Sequence, residues 1–203
     1  PAEPATRPPN TPARLRKSGT AVSDTGSISG DVDLVPDAPR EVPAAWNEAP
    51  SDVAPVTVPE LFARHVRDRA QAPALVFDDV SLSYAELGRR GFRLAHLLIA
   101  RGVGPEDVVA VAVPRSVDMI VTELAVMVAG AAYLPVDENL PADRIRYMLT
   151  DAAPRVLVST VRAGVEGGDQ VPVLRLDAPD VLAELAVVAE TDPAVGVSPQ
   201  HAG

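Results

Sequence analysis

The chain has 203 residues, of which 47% are hydrophobic, 3% are aromatic and none is cysteine, and its net charge is −10. This acidity disfavours nucleic acid and anionic membranes as partners, and the lack of cysteine excludes disulfides and thiolate metal sites. No run of about 18 apolar residues could span a membrane, and the proline-rich start does not have the pattern of a secretory signal. The opening Pro1 suggests a piece of a longer protein.

The first 57 residues predict two segments without a hydrophobic core. Residues 1–30 are rich in Pro, Ser, Thr and Gly and are predicted to be disordered, because they contain too few apolar residues to offset the entropy of ordering. They contain a small basic cluster: Arg7, Arg14, Arg16 and Lys17. We interpret it as a solvated linker rather than a docking patch. Residues 31–57 are predicted to be an extended interdomain linker, with Trp46 as an anchor in a surface groove.

The globular part is predicted over residues 58–203 and opens with a helix, for which Thr57 is the candidate N-cap. A helical stripe follows it: Leu61, Phe62, His65 and Val66. The segments Ala74–Phe77 and Val80–Leu82 predict a hairpin around an Asp-Asp turn.

A second helix is predicted to begin at a capping box. Ser83 and Glu86 have the Ser-x-x-Glu spacing in which each side chain bonds the other residue's backbone N–H. Gly102 supplies the left-handed stop at the other end. The residues predicted to form the buried face are Leu87, Gly91, Leu94, Ala95 and Leu98.

Strands and helices then alternate to the end of the chain. The predicted elements are the strand Val108–Val113, the helix Ser116–Ala129, the strand Tyr133–Val136, the helix Pro141–Ala153, the strands Val156–Ser159 and Val171–Leu176, and the helix Asp180–Ala189. This order predicts the α/β class: a mostly parallel sheet in three layers, flanked by helices that cross over with right-handed connections.

One joint in this region is predicted to be tight. Gly130 ends a helix with a positive φ or a close backbone contact, and the next strand follows within three residues. Pro135 has no backbone N–H to donate to a neighbouring strand, which favours a position at a strand end or at a sheet edge. We therefore expect Gly130→Val to destabilise the domain and Gly167→Val, in a predicted surface loop, to be nearly silent.

The usual catalytic signatures are absent from the sequence: it has no Walker-type loop, G-x-G-x-x-G, G-x-S-x-G or H-E-x-x-H. The segment 102–104 is interpreted as a helix end and 166–169 as a surface loop. Asp137 and Glu138 are adjacent acids without further oxygen partners in the pattern. Three histidines also lack partners at a useful spacing: His65, His96 and His201. The residues alone therefore nominate no catalytic, cofactor-binding or metal-binding residue.

Two segments carry a resemblance to a known family. "LSYAEL" (Leu82–Leu87) and "MVAGAAYLPVD" (Met127–Asp137) resemble the first and second core motifs of amino-acid adenylation domains of nonribosomal peptide synthetases. "PADRIRYMLTDAAPRVLVS" follows the family's running pattern, and "AAWNEAP" with the segment after it resembles the linker from a condensation domain to an adenylation domain. The resemblance covers about Asp31 to Gly203. Val128 stands where the family usually has Lys, which puts a role for that charge in doubt.

The resemblance implies an adenylate-forming ligase. Such domains use ATP and Mg²⁺ to convert an amino acid to an aminoacyl-adenylate, and then load it on the phosphopantetheine of a carrier domain. It implies that residues 58–203 are the N-terminal part of the domain, that the phosphate loop would follow Gly203, and that this piece alone is inactive. The implied partners are the rest of the adenylation domain, an upstream condensation domain and a downstream carrier domain, in the cytoplasm.

Two alternatives stay open at this point. One is an acyl- or aryl-CoA ligase of the same superfamily. The other is a non-enzymatic α/β interaction module.

Overall fold

The computed structural model describes residues 55–168 and 171–200. The predictions for residues 1–54, which include the basic cluster and Trp46, lie outside the described residues, and so does His201. The elements are α1 (Val58–Asp68), β1 (Pro73–Phe77), β2 (Val80–Ser83), α2 (Tyr84–Ala100), β3 (Val108–Ala112), α3 (Val117–Val128), β4 (Ala132–Pro135), α4 (Ala142–Ala152), β5 (Val156–Ser159), β6 (Val173–Arg175) and α5 (Pro179–Val187).

The strands form two sheets. β1 and β2 make an antiparallel hairpin, and the other four strands make a sheet in the order β4-β3-β5-β6. Every neighbouring pair in the four-stranded sheet is parallel, with Val109 opposite Tyr133 on one side and Val156 on the other. The predicted parallel α/β sheet is therefore confirmed.

Helices cover both faces of this sheet, as predicted. Val109 and Val111 of β3 join a core with Leu98 of α2 and Val126 of α3. On the opposite face Ala110, Ala112 and Leu157 pack with Ile145 and Leu149 of α4. The alternation of a strand's side chains between two faces thus produces two separate cores and three layers.

Several predicted boundaries differ from the observed ones by one or two residues, among them those of β4, β6 and α5. β4 begins and ends one residue early, although the Val136 N–H still donates to the Val111 carbonyl oxygen at 2.9 Å. β6 is shorter than predicted because Pro172 cannot donate to the ladder. α5 begins at Pro179, since proline is favoured in the first turn, and ends at Val187.

The predicted tight joint after α3 is present. Gly130 has φ +85°, its N–H donates to Met127 at 3.0 Å, and the Ala131 N–H donates to Val126 at 3.1 Å. These two bonds form a Schellman motif, which satisfies the last helix carbonyls. A Cβ on Gly130 would lie 3.1 Å from Pro105 Cγ. The joint leads directly into β4, which lies at the edge of the sheet formed by the described residues and ends on Pro135, as the proline predicted.

The expectation for Gly167 was wrong. Gly167 is buried, and a Cβ there would collide with the carbonyl oxygen of Val171. The Gly-rich segment has the composition of an exposed loop, but the backbone at Gly167 packs directly against Val171, two residues before β6.

Gly130→Ala should destabilise the protein more than Gly164→Ala. Both glycines have positive φ, so each substitution costs about 1 kcal/mol of conformational strain. A Cβ at Gly164 meets no atom within 4 Å, whereas at Gly130 it presses on Pro105. Urea denaturation of both variants measures the difference, and equal losses would contradict a close contact at Gly130.

Gly167→Ala should lower the free energy of unfolding by about 1–3 kcal/mol, the usual range for forcing extra atoms into a packed site. Gly104→Ala is the matched control, because Gly104 has an ordinary φ and open space around its Cβ position. An unchanged free energy of unfolding for Gly167→Ala in the same experiment would show that the loop moves to accommodate the Cβ without loss of stability.

Candidate functional site

The segment Leu82–Leu87 forms the junction between β2 and α2. The Glu86 carboxylate accepts from the Ser83 N–H and from its hydroxyl, both at 2.8 Å, and the Glu86 N–H donates to Ser83 Oγ at 3.3 Å. The predicted capping box is therefore confirmed. It fixes the direction in which α2 leaves the hairpin, and Leu87 then enters the core.

The hydrogen bonds of this junction also set the charge state of Glu86. The backbone N–H of Ser83, and then its hydroxyl, lower the pKa of Glu86 below the ordinary value of 4.5. The nearby Arg89 and Arg90 act in the same direction. The carboxylate is thus a structural cap that stays ionised.

The segment Met127–Asp137 spans the end of α3, the Schellman joint and β4. Val128 is 4% exposed and belongs to the core, so the position where the family usually has Lys is apolar here. The segment ends on Asp137, whose carboxylate accepts from the backbone and side-chain nitrogens of Asn139, each at 2.9 Å. These bonds lower the pKa of Asp137, with a smaller contribution from Arg115. Asp137 therefore shapes a turn.

The carboxyl ends of the four parallel strands meet at one edge of the sheet, the usual position of ligands in this class of fold. The polar residues that follow the strands are Ser116 after β3, Asp137 after β4, Thr160 after β5 and Asp177 after β6. β3 connects to β4 on one side of the sheet and β5 connects to β6 on the other. The crevice between the ends of β3 and β5 is thus a topological switch point.

The polar groups at this edge make local hydrogen bonds. Ser116 Oγ accepts from the Met119 N–H at 3.3 Å and caps α3, as predicted. Thr160 Oγ1 accepts from Ala163 at 3.1 Å, and Asp177 accepts from Val161 at 2.7 Å. Over residues 55–168 and 171–200, no three His, Asp or Glu side chains come together as a metal site.

The two described histidines contact backbone carbonyls. The His65 ring donates from Nδ1 to Leu61 at 2.8 Å and lies 5.2 Å from the ring of Tyr84. His96 Nε2 donates to the Thr191 carbonyl at 2.9 Å and so ties α2 to the segment after α5. The described hydrogen-bond partner of each ring is thus a backbone carbonyl oxygen.

Two arrangements were missed by sequence reasoning. Glu60 completes a second capping box with Thr57, a spacing that was visible in the sequence. The other is a cavity of about 280 Å³ lined by residues of α2, α3 and α5, together with Thr160 and Asp177. Its walls come from segments far apart in the chain, so no local pattern could reveal it.

A comparison with protein families identifies the family of this chain. The family described as AMP-binding enzyme matches residues 62–201, well over half of the chain. The chain belongs to the AMP-binding enzyme family. The family expected from the segments Leu82–Leu87 and Met127–Asp137 is thereby confirmed.

The relatives within the AMP-binding family are much longer proteins. A dimodular nonribosomal peptide synthase from Bacillus subtilis is 39% identical over 174 residues, which are 84% of this chain and 7% of that protein. Novobiocin biosynthesis protein H from Streptomyces niveus is 42% identical over 138 residues, 67% of this chain and 23% of that protein. The chain therefore spans only a small part of these relatives.

Solved structures of AMP-binding enzymes have the same fold. A nonribosomal peptide synthetase, FmoA3, in its alpha-methyl-L-serine-AMP bound form, matches 78% of this chain and 18% of that chain with 26% identity and a TM-score of 0.68. The N-terminal subdomain of Klebsiella oxytoca NpsA, in complex with 3-hydroxybenzoyl-AMSN, matches 71% of this chain and 33% of that chain with 26% identity and a TM-score of 0.56. Residues 62–201 thus correspond to the N-terminal part of such enzymes. Among the described residues no helix is both long and apolar enough to cross a membrane.

The contribution of Glu86 to stability should depend on pH. Because its pKa is lowered by folding, the stabilisation is fully present above the ordinary value of 4.5 and is lost as the pH falls through the lower value of the folded state. Glu86→Gln cannot titrate at this position. Urea denaturation at about pH 7 and about pH 3.5 should show a parent–variant difference that shrinks at the lower pH. A difference that is the same at both pH values would exclude the lowered pKa.

Proposed function

We propose that the chain is the N-terminal part of an amino-acid adenylation domain in a nonribosomal peptide synthetase. In this reaction a carboxylate oxygen of the amino acid attacks the α-phosphate of ATP, and pyrophosphate leaves. The aminoacyl group then passes from AMP to the thiol of a phosphopantetheine carrier. The observation that carries the proposal is the AMP-binding family match over residues 62–201, together with relatives that are named as peptide synthetases.

The described residues do not themselves fit a Mg²⁺ site. Mg²⁺ in nucleotide sites is held by one or two carboxylates together with phosphate oxygens. Here Asp137 and Asp177 accept hydrogen bonds within their own turns, and the described part of the chain holds no cluster of metal-binding side chains. We therefore assign the phosphate and metal chemistry to other parts of the synthetase. The role that we assign to this part is to support those parts as a rigid layer of the structure.

The proposal includes partners and a location. A condensation domain precedes this part and a carrier domain follows the completed adenylation domain. The NpsA–ThdA protein, named as an artificially fused adenylation–PCP di-domain, matches 70% of this chain with a TM-score of 0.59 and supports the carrier-domain part of this arrangement. We place the protein in the cytoplasm, where ATP is available, and its net charge of −10 argues against a nucleic-acid partner.

A second function is favoured by a specific observation. The NpsA complexes contain 3-hydroxybenzoyl-AMSN and anthranilyl-AMSN, which are analogues built on aryl rather than amino-acid acyl groups. An acyl- or aryl-activating ligase of the same family is therefore the alternative to be tested beside amino-acid activation. The third reading, a non-enzymatic interaction module, is tested by the same experiment.

The test is pyrophosphate exchange into ATP by the complete product of the gene that encodes these residues. A panel of amino acids and aryl carboxylic acids should give exchange that depends on one or a few amino acids, while the 203-residue chain alone remains at the no-protein background. Exchange with aryl acids only, followed by acyl-CoA formation, would support the CoA-ligase alternative. No exchange with any acid would overturn the proposal in favour of the interaction module.

A further inference from the structure

The two faces of the four-stranded sheet are covered unequally. Residues of α2, α3 and α5 join the core on one face, whereas α4 is the one helix that the described residues place on the other. The connection from β5 to β6 also packs on that second face, and its described residues form no helix. Val173 of β6 lies there beside Leu157 and is only half-buried. Because helices normally cover both faces of a parallel sheet, a position for a second helix is open beside α4.

A groove of about 570 Å³ lies at this position. Its facing wall is formed by residues 163–168 and Val171. The stripe that α4 contributes spans eight residues, or about 12 Å along the helix axis. Its members have the i, i+3, i+4, i+7 spacing along which helices pack on each other. They are Ala142, Ile145, Arg146, Leu149 and Thr150. A groove that follows a helix for about two turns has the shape to receive another helix.

The chemistry of the groove fits an amphipathic helix. Arg146 is paired with Asp143 at 2.7 Å, and Glu166 is paired with Arg175 at 2.5 Å, so the charges of these two lining residues are compensated. Glu138, at the end where α4 begins, forms no ion pair with a described residue, and a basic side chain on the occupant would complement it. The apolar lining residues are Leu140, Ile145, Leu149, Val165 and Val171.

The size of a related subdomain indicates where such a helix comes from. The N-terminal subdomain of NpsA has this fold, and the part that matches this chain is 33% of it. About two thirds of a subdomain of this kind therefore consists of further chain. That further chain belongs to the same folded unit, so it is the nearest source of a helix for an uncovered part of the sheet.

We propose that the groove beside α4 is the docking site of an amphipathic helix from the remaining part of the same subdomain. The apolar side of that helix packs on Ile145, Leu149 and Val171, and a Lys or Arg lies at the end near Glu138. The inference rests on the proposed function, which makes this chain one part of a larger adenylation domain.

The test uses the complete product of the gene, with one cysteine introduced at a time. Thr150→Cys places a thiol in the groove. Asp151→Cys is the matched control, because Asp151 is the next residue of α4, is also exposed and does not line the groove. Modification by a maleimide is followed by mass spectrometry of the peptide that contains the introduced cysteine.

In the complete product, Thr150→Cys should react at least about tenfold more slowly than Asp151→Cys, because the docked helix covers the first thiol. In the 203-residue chain, which has no cysteine of its own, the two thiols should react at similar rates. Similar rates in the complete product would overturn the proposal.

A photo-crosslinker identifies the occupant. p-Benzoylphenylalanine in place of Thr150 should cross-link to a peptide of the same adenylation domain outside residues 1–203, with apolar residues at i, i+3 or i+4, and i+7 and a Lys or Arg at one end. A cross-link to residues 1–203 of a second molecule, to another domain or to a peptide without this pattern would contradict the proposal.

Pyrophosphate exchange by the same samples separates this inference from the proposed function. Exchange by a product in which the Thr150→Cys thiol is unprotected would contradict only the docked helix. Protection of that thiol in a product that gives no exchange with any acid would contradict only the proposed activity.

Discussion

Burial of β3 on both faces is the constraint on which the rest of the described fold depends. Val109, Ala110, Val111 and Ala112 are each at most 5% exposed, and the strand pairs with β4 on one side and β5 on the other. A strand enclosed in this way can contain only small or branched apolar residues, and it needs a helical layer above and below. The two cores, the position of α4 opposite α2 and α3, and the parallel direction of the neighbours all follow from this one enclosed strand.

The two family segments act as joints in this part of the structure. The Ser83–Glu86 box sets the direction of α2, and the bonds at Gly130 and Ala131 place β4 beside β3 without a relaxed loop. Both joints fix how a helix meets a strand, which explains why the segments contain glycine, a cap and short apolar runs. Under the proposed function, these joints supply the rigid geometry of the layer, since side chains on a rigid scaffold keep the precise placement that catalysis needs.

Much of the fold could be predicted from local signals. Helix ends were predicted from Ser83, Ser116 and Gly102, because capping depends on a few neighbouring residues. The strand Val156–Ser159 was predicted at its observed boundaries, because a short apolar run of this length favours a buried strand. The expectation for Gly167 was wrong because a contact that composition does not reveal decides there: the backbone of Val171 lies against Gly167. The family could be inferred from the sequence, whereas the cavity beside α2 could not, because its walls are assembled by tertiary structure alone.

The charged and polar side chains of α2 determine how α5 and the segment after it pack on this helix. Arg89 and Arg93 contact Glu190, Arg101 contacts Glu184, and His96 donates to Thr191, so the polar side of the helix is tied to α5 and the segment after it. Half-exposed ion pairs of this kind contribute about 0–1 kcal/mol each, too little to hold α5 by themselves. Val181, which is 5% exposed, and the apolar residues around it supply the burial, while the ionic contacts select one position of α5 along α2. That position brings Leu185 of α5 close to Leu94 of α2, and the two side chains line the cavity between these helices.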